Sequence, residues 1–166
     1  MRRRGAALLL FAIAFGVASA ARAEDKWVLI GALGAFDLPL PNEVKDTAPA
    51  YYAELRLKPG IWHFHPHLGF QGTTDGMVYG FGGVHLDFPI GHLRLVPSGS
   101  VGFYDDGEND KNLDGLVEFR IGAGVAWQFD NGFRLGGTWY HMSNAYTAER
   151  NPGAEMLFAE FGYAFP

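Results

Sequence analysis

Residues 26 to 165 alternate between apolar and polar side chains with a period of two, and this pattern constrains the fold more than any other feature. We divide the alternating region into eight segments, at residues 26–37, 50–58, 63–73, 76–88, 93–104, 115–129, 133–144 and 154–165. Successive side chains of a β-strand point to opposite faces, so this period predicts strands. A tilted strand crosses a bilayer in about 9–11 residues, a length that every segment reaches. No stretch after residue 25 approaches the ~20 consecutive apolar residues of a spanning helix.

Short and long connections alternate between these segments. Tight turns rich in Pro, Gly and Asn lie at 58–62, 89–92 and 130–132, and long polar connections lie at 38–49, 105–114 and 145–153. The connection at 74–76 is the exception, since it is short where a long one is expected. Short turns at one rim and long loops at the other are typical of outer-membrane barrels. The sequence therefore predicts an all-β fold, an eight-stranded antiparallel transmembrane β-barrel.

The N-terminal residues have the layout of an export signal. Arginines at positions 2 to 4 precede an apolar run from Gly5 to Val17, and small residues follow up to Ala23. The apolar run is too short for a spanning helix and suits a cleaved signal. We expect residues 1–23 to be a signal peptide and residues 24–166 to form the barrel domain in the bacterial outer membrane. An exported chain without cysteine forms no disulfides.

Composition and charge narrow the choice of partners. Glycine accounts for 23 of 166 residues and aromatic residues for 15%, whereas ordinary proteins contain about 7% glycine. Removal of the signal takes away four of the 13 basic side chains, so 9 remain against 18 acidic ones, a net charge of −9. Nucleic-acid-binding domains are basic, so we exclude nucleic acid as a partner.

The parity of the charged residues separates a membrane barrel from a soluble one. A membrane barrel directs charged side chains into its lumen and apolar ones towards lipid, and a soluble barrel does the reverse. Three glutamates and three arginines share the polar rows of the segments: Glu54, Glu118, Glu160, Arg56, Arg120 and Arg134. The equal numbers predict an ion-pair network in the lumen. The alternative is a soluble lipocalin-like barrel, whose core would need the aromatic faces turned inward.

Three polar residues interrupt the lipid-facing rows of the last two segments. His141 and Ser143 continue the apolar row of the seventh segment, and Glu155 begins that of the eighth. Polar groups on a lipid face are costly, and these three are the base, nucleophile and orienting acid of a hydrolytic triad. Symmetrical closure of the connection would put Glu155 opposite Ser143 and diagonal to His141. The alternative is that all three are the wetted ends of strands.

These residues also carry a resemblance to a known family. The blocks His141-Met-Ser143-Asn144-Ala145 and Asn151-Pro152-Gly153-Ala-Glu155 resemble the signature of the PagL-type lipid A deacylases. The match spans 15 residues, while the signal, the length and the strand count agree along the whole chain. It implies a serine esterase that removes the 3-O-linked hydroxyacyl chain from lipid A of lipopolysaccharide, with no metal or cofactor.

The resemblance also assigns roles to individual residues. It implies Ser143 as the nucleophile, His141 as its base and Glu155 as the orienting acid. It implies Asn151 in the oxyanion hole, with Asn144 as a supporting residue in the same block.

Two residues depart from the pattern of the family. Tyr146 is bulky where a small residue is expected, which puts a backbone oxyanion donor at that position in doubt. Pro166 follows Phe165, whereas such a barrel usually ends on the aromatic residue itself.

Two other functions remain open from the sequence. One is a non-catalytic small outer-membrane barrel for adhesion, binding or membrane stabilisation, and the other is an esterase that acts on phospholipid. Outer-membrane lipids surround the protein in each case, and the sequence leaves homo-oligomerisation open.

Other groupings carry weaker signals. His63, His65 and His67 alternate on one face after a tight turn, and we interpret them as interfacial residues rather than metal ligands. The motif Asp110-x-Asn112-x-Asp114-Gly115 resembles the start of a calcium loop, but Ile121 occupies the position that needs a bidentate carboxylate. We therefore interpret that motif as a solvated acidic loop. Tryptophans at positions 27, 62 and 127 suit the aromatic girdles of a barrel.

Overall fold

The computed structural model describes residues 26–39, 47–58, 64–107 and 111–166, so the expected signal peptide lies outside the described residues. The described part contains nine strands: β1 (Trp27–Phe36), β2 (Ala48–Arg56), β3 (Phe64–Thr73), β4 (Val78–Leu86), β5 (Phe88–Ile90), β6 (Leu93–Asp105), β7 (Val117–Gln128), β8 (Phe133–Ser143) and β9 (Ala154–Phe165). None of these residues belongs to a helix that is long and apolar enough to cross a membrane.

The strands form one closed antiparallel sheet. Their order is β4-β3-β2-β1-β9-β8-β7-β6-β5, and an additional pairing of β4 with β6 closes the ring. After an interruption at Asp87, β5 continues along the same partner strand as β4, because both pair with β6. The nine strands therefore make eight barrel strands, which confirms the predicted fold. Closure satisfies every strand edge, as a bilayer requires.

Burial alternates along the strands as the sequence predicts. In β7 and β9 every second side chain is buried in the lumen, and the intervening side chains point outward. The outward rows carry large exposed hydrophobic residues on every barrel strand, among them Leu33, Phe70, Val125 and Phe161. A soluble protein rarely exposes so continuous an apolar surface, whereas a membrane barrel turns it towards lipid.

Charged side chains fill the lumen and pair across it. Arg56 Nε lies 2.6 Å from Glu54 Oε1, and Arg56 also lies 3.5 Å from Glu160. Arg120 lies 3.7 Å from Glu54 and stacks over the ring of Phe81, with its guanidinium carbon 3.8 Å from the ring centroid. Pairing of this kind offsets the cost of placing charges in a narrow, side-chain-filled interior.

Two of the six residues expected in this network, Arg134 and Glu118, do not pair with another member of the set. Arg134 pairs with Asp87 at 2.8 Å, and Asp87 is not one of the three glutamates. Glu118 is buried, and its carboxylate oxygens have no hydrogen-bond partner within the part of the chain that the structure describes. Parity gives the face of a residue but not its height in the barrel. Arg134 lies near the short-turn end of β8 and Glu118 near the long-loop end of β7, so the two do not meet.

The interpretation of the histidines as interfacial residues is wrong for His65 and His67. His65 and His67 are buried in the lumen, where both stack near His85. They share the inward row of β3 with Gln71, while the intervening Pro66 points outward. His63 lies outside the described residues.

Candidate active site

The register of β8 and β9 brings two of the candidate residues face to face. His141 lies directly opposite Glu155, so the expected pairing of Glu155 with Ser143 is wrong by two residues. The register is constant along the whole strand pair, with Leu135 opposite Phe161. Barrel closure sets this register, and a long connection has no need to close symmetrically over its ends.

A hydrogen bond joins this pair. His141 Nδ1 lies 2.7 Å from Glu155 Oε1. The carboxylate can only accept, so the proton of a neutral imidazole lies on Nδ1 and the lone pair on Nε2. The side chain of His141 is 34% exposed and that of Glu155 12%, so the histidine remains reachable while the acid is mostly covered. An acid on Nδ1 with a free Nε2 is the arrangement of a general base in serine hydrolases.

Ser143 lies on the same outward row as His141, at the last position of β8. Two residues along a strand are about 6.5–7 Å apart, a distance that two side chains can bridge by leaning together. Among the described residues the structure records no hydrogen bond between the Ser143 hydroxyl and His141. Catalytic hydrogen bonds are often long in a site without substrate and shorten in the reactive complex.

Gly153 packs against the edge of the His141 imidazole. A Cβ atom at this position would lie 2.7 Å from His141 Cε1 and 3.5 Å from Nε2. Only a glycine lets the backbone approach the ring so closely. Sequence reasoning misses this contact with the histidine, because it depends on three-dimensional proximity alone.

Asn144 organises the loop that follows β8. Its Nδ2 donates to the carbonyl oxygens of Leu113 at 2.8 Å and Arg150 at 2.7 Å, and its Oδ1 accepts from the backbone N–H of Tyr146 at 2.9 Å. The residue is completely buried. Both amide protons are thus committed to carbonyl groups, which leaves Asn144 as a support for the loop and not as a donor to an oxyanion.

Tyr146 affects the loop through its backbone rather than through its bulk. Its side chain is 80% exposed, so it does not crowd the site. Its N–H is occupied by Asn144, which removes it as an oxyanion donor. Ala145 and Tyr146 both have positive φ angles, of 52° and 62°, a conformation that L-residues adopt in tight turns at a cost. The bonds from Asn144 offset that cost.

The side chain of Asn151 is less engaged. Its Oδ1 is buried and has no hydrogen-bond partner within the described residues. Oδ1 is an acceptor, so only the Nδ2 hydrogens of this amide could donate to an oxyanion.

Asp114 links the loop between β6 and β7 to the loop between β8 and β9. Its two carboxylate oxygens accept from the backbone N–H and from the guanidinium of Arg150, each at 2.9 Å. These hydrogen bonds lower the pKa of the Asp114 carboxyl below its ordinary value. Asn112 Oδ1 in turn accepts from the Asp114 N–H at 2.7 Å. The sequence predicts a solvated acidic loop, but Asp114 in that loop instead forms an ion pair that joins two loops. Asp110 lies outside the described residues.

Comparison with known proteins identifies the family. A family model described as lipid A 3-O-deacylase (PagL) matches residues 50–164, more than half of the chain. The chain belongs to the PagL family. No curated protein sequence matches it.

Solved structures agree with the fold of this PagL family member. The crystal structure of the outer membrane enzyme PagL superimposes with a TM-score of 0.62 at 17% identity, covering 82% of this chain and 98% of that chain. A designed transmembrane β-barrel gives 0.62 at 8% identity, with 85% and 96% covered. The N-terminal barrel domain of Pseudomonas aeruginosa OprF gives 0.57 at 17% identity, with 84% and 97% covered. At these identities the likeness concerns the fold.

Family and fold together confirm the predicted location. The protein is an outer-membrane-type barrel of the PagL family and lies in the outer membrane. The long connections after β1, β6 and β8 then face the cell exterior and the short turns face the periplasm. His141, Ser143 and Glu155 lie at the extracellular end, on the outward face.

Proposed function

We propose that this PagL family member is a serine esterase that removes the 3-O-linked hydroxyacyl chain from lipid A of lipopolysaccharide. The observation that carries the proposal is the hydrogen bond from His141 Nδ1 to Glu155, on the lipid-facing surface, with Ser143 next in the same row. Membership of the lipid A 3-O-deacylase family supports the substrate. The proposed chemistry uses side chains alone.

The reaction begins with attack of Ser143 Oγ on the ester carbonyl carbon. His141 Nε2 takes the hydroxyl proton, since an unassisted serine is a weak nucleophile. Glu155 stays ionised, holds the imidazole in the required tautomer and stabilises the imidazolium. Collapse of the tetrahedral intermediate breaks the ester bond, and His141 returns its proton to the departing 3-oxygen of lipid A.

The second half of the reaction releases the fatty acid. Water attacks the acyl group on Ser143 while His141 takes a proton from it. The second intermediate then collapses to the free carboxylic acid as His141 returns that proton to the departing Ser143 Oγ. Each intermediate places negative charge on the former carbonyl oxygen. We assign Asn151 to stabilise that charge, and a side-chain amide in this role contributes about 3 kcal/mol in a comparable site. Asn144 supports it by fixing the loop.

An apolar surface for the acyl chain lies directly below the proposed triad. Trp139 and Leu157 face each other across β8 and β9. They are the next outward-facing pair below His141 and Glu155, and both are exposed. An acyl chain can lie along these residues in the bilayer while its ester reaches Ser143 at the bilayer edge, where polar groups cost less.

The test compares two substrates on the purified, detergent-folded protein. Lipid A and a diacyl phospholipid are each incubated with the wild type and with Ser143→Ala, and the products are identified by mass spectrometry. We expect the wild type alone to release a hydroxyacyl chain from lipid A and to leave the phospholipid intact. Lysophospholipid formation would instead establish a phospholipid esterase. Absence of product from either lipid, with the barrel folded, would favour the non-catalytic barrel.

A further inference from the structure

Three buried side chains in the periplasmic half of the lumen face one another from adjacent strands. Glu54 on β2, His67 on β3 and His85 on β4 each offer a ligand atom, and these atoms lie within 4.8 Å of one another. We propose that they form a binding site for a divalent transition-metal ion, separate from the triad proposed above.

The register explains why the three side chains meet. Glu54 lies opposite Gly69, two residues beyond His67, and His67 lies opposite Gly83, two residues before His85. Glu54 with His67, and His67 with His85, are thus diagonal pairs on the inward face. Diagonal neighbours are about 7–8 Å apart along the backbone, within reach of long side chains. The two glycines put no side chain between them.

The distance between the two imidazoles suits a tetrahedral ion. His67 Nδ1 lies 3.4 Å from His85 Nδ1. A tetrahedral ion with metal–nitrogen bonds of about 2.0–2.1 Å holds two ligand nitrogens about 3.3–3.4 Å apart. Two nitrogens this close cannot both carry a proton, so at least one of them presents a lone pair to the other.

The imidazoles also leave hydrogen-bonding capacity unused. Within the described ranges, the Nε2 atoms of His65 and His67 are buried without a hydrogen-bond partner. Buried polar atoms are normally paired. His65 stacks on His85 with ring centroids 4.9 Å apart, so three imidazoles share this region of the lumen.

The ligand set selects the class of ion. Imidazole and carboxylate together favour Zn²⁺, Cu²⁺ or Ni²⁺ over Mg²⁺ and Ca²⁺, which prefer oxygen ligands alone. Glu54 supplies negative charge against the ion. Among the described residues, its Oε1 lies 2.6 Å from Arg56 Nε, whereas its Oε2 lies farther from a cation, 3.7 Å from Arg120, so we assign Oε2 as the ligand atom. Arg56 also lies 3.5 Å from Glu160, which offsets part of its repulsion of the ion.

The position of the site indicates a structural role. Glu54 lies six residues along β2 from Ala48 at the extracellular end, a span of about 20 Å. A lipid ester at the outer surface cannot reach it. The ion would instead join three adjacent strands through their side chains, and would stabilise the folded barrel in proportion to its affinity.

The experiment measures Zn²⁺ on the purified, folded full chain in detergent after removal of free metal. We expect a single Zn²⁺ ion per chain by elemental analysis, and a higher unfolding temperature than the chelator-treated protein has. The double variant His67→Gln/His85→Gln should lose both effects. His92→Gln is the matched control, because His92 lies in the periplasmic turn outside the cluster, and it should bind as the wild type does.

A second readout keeps the proposal testable if the double variant fails to fold. Wild type loaded with Co²⁺ should show the strong visible absorption of a tetrahedral ion with nitrogen ligands. Absence of Zn²⁺ from the wild type, undiminished binding by the folded double variant, or a Co²⁺ spectrum without those bands would overturn the proposal. None of these measurements depends on ester hydrolysis.

Discussion

His141 and Glu155 face each other across β8 and β9, and a hydrogen bond of 2.7 Å from Nδ1 to Oε1 joins them. The bond lies on the outward face of the barrel, where polar side chains are costly and a polar pair has no structural use. Glu155→Gln keeps the shape of the side chain but removes its charge and permits the wrong imidazole tautomer. We expect kcat to fall about 10³- to 10⁴-fold, as in comparable triads, with little change in KM. Steady-state kinetics on a soluble ester measures this, and Glu149→Gln in the exposed loop is the matched control.

Gly153 should be intolerant of any side chain. In Gly153→Ala the new Cβ would lie 2.7 Å from His141 Cε1, so the imidazole must move. Displacement of a catalytic group by about 1 Å costs on the order of 10²-fold in rate. We expect that loss in kcat without a change in barrel stability. Gly80→Ala serves as control, because a Cβ there meets no atom within 4 Å. Full activity of Gly153→Ala would show that the ring position is not critical.

Asn144 should stabilise the loop between β8 and β9. Asn144→Ala would remove the donor to the carbonyl groups of Leu113 and Arg150, and a buried acceptor such as that of Leu113 costs about 1–3 kcal/mol without a partner. We expect faster hydrogen–deuterium exchange in residues 144–153 together with lost activity, while the strands stay protected. Asn131→Ala, in an exposed periplasmic turn, should change neither. Normal exchange in the Asn144 variant would contradict the supporting role.

The ion pair between Asp114 and Arg150 should weaken in acid. Hydrogen bonds from Arg150 lower the pKa of Asp114 when the loops are folded. The stabilisation from this ion pair is therefore fully present above the unfolded pKa of 3.8. It is lost as the pH falls through the lower pKa of the folded state. We expect loop exchange, corrected for intrinsic rates, to be constant from neutral pH down to about pH 5 and to rise in stronger acid.

A substitution distinguishes loss of this ion pair from general unfolding of the protein in acid. Asp114→Asn should show raised exchange in the loop already at neutral pH, because it keeps the side-chain shape but loses the charge. If the variant and the wild type exchange alike at neutral pH, the ion pair does not hold the loop.

The fold and the faces follow from the sequence because a barrel strand has one dominant rule. Alternation places Glu54 and Arg120 in the lumen and His141 and Ser143 outside without any knowledge of contacts. The same rule assigns Glu155 to the outward row, so the members of the candidate site are predicted together.

Alternation predicts neither the height of a residue along the barrel axis nor the register between two strands. The offset that puts Glu155 opposite His141 rather than Ser143 is set by closure of the whole barrel, a non-local property. The same limitation separates Arg134 from Glu118 and hides the meeting of His67 with His85, which are 18 residues apart. The contact of Gly153 with the imidazole depends on backbone position, which no side-chain pattern reports.

The mass of lipid A from cells that express the wild type or Ser143→Ala tests directly whether the protein is a lipid A deacylase with Ser143 as its nucleophile. Equal folding of the two barrels is first established by heat-modifiable gel mobility. We expect loss of one hydroxyacyl mass from lipid A in wild-type cells and unchanged lipid A in cells with the variant. The same loss in both strains would contradict the assignment of Ser143 as the nucleophile, and no loss in either would contradict lipid A deacylation itself.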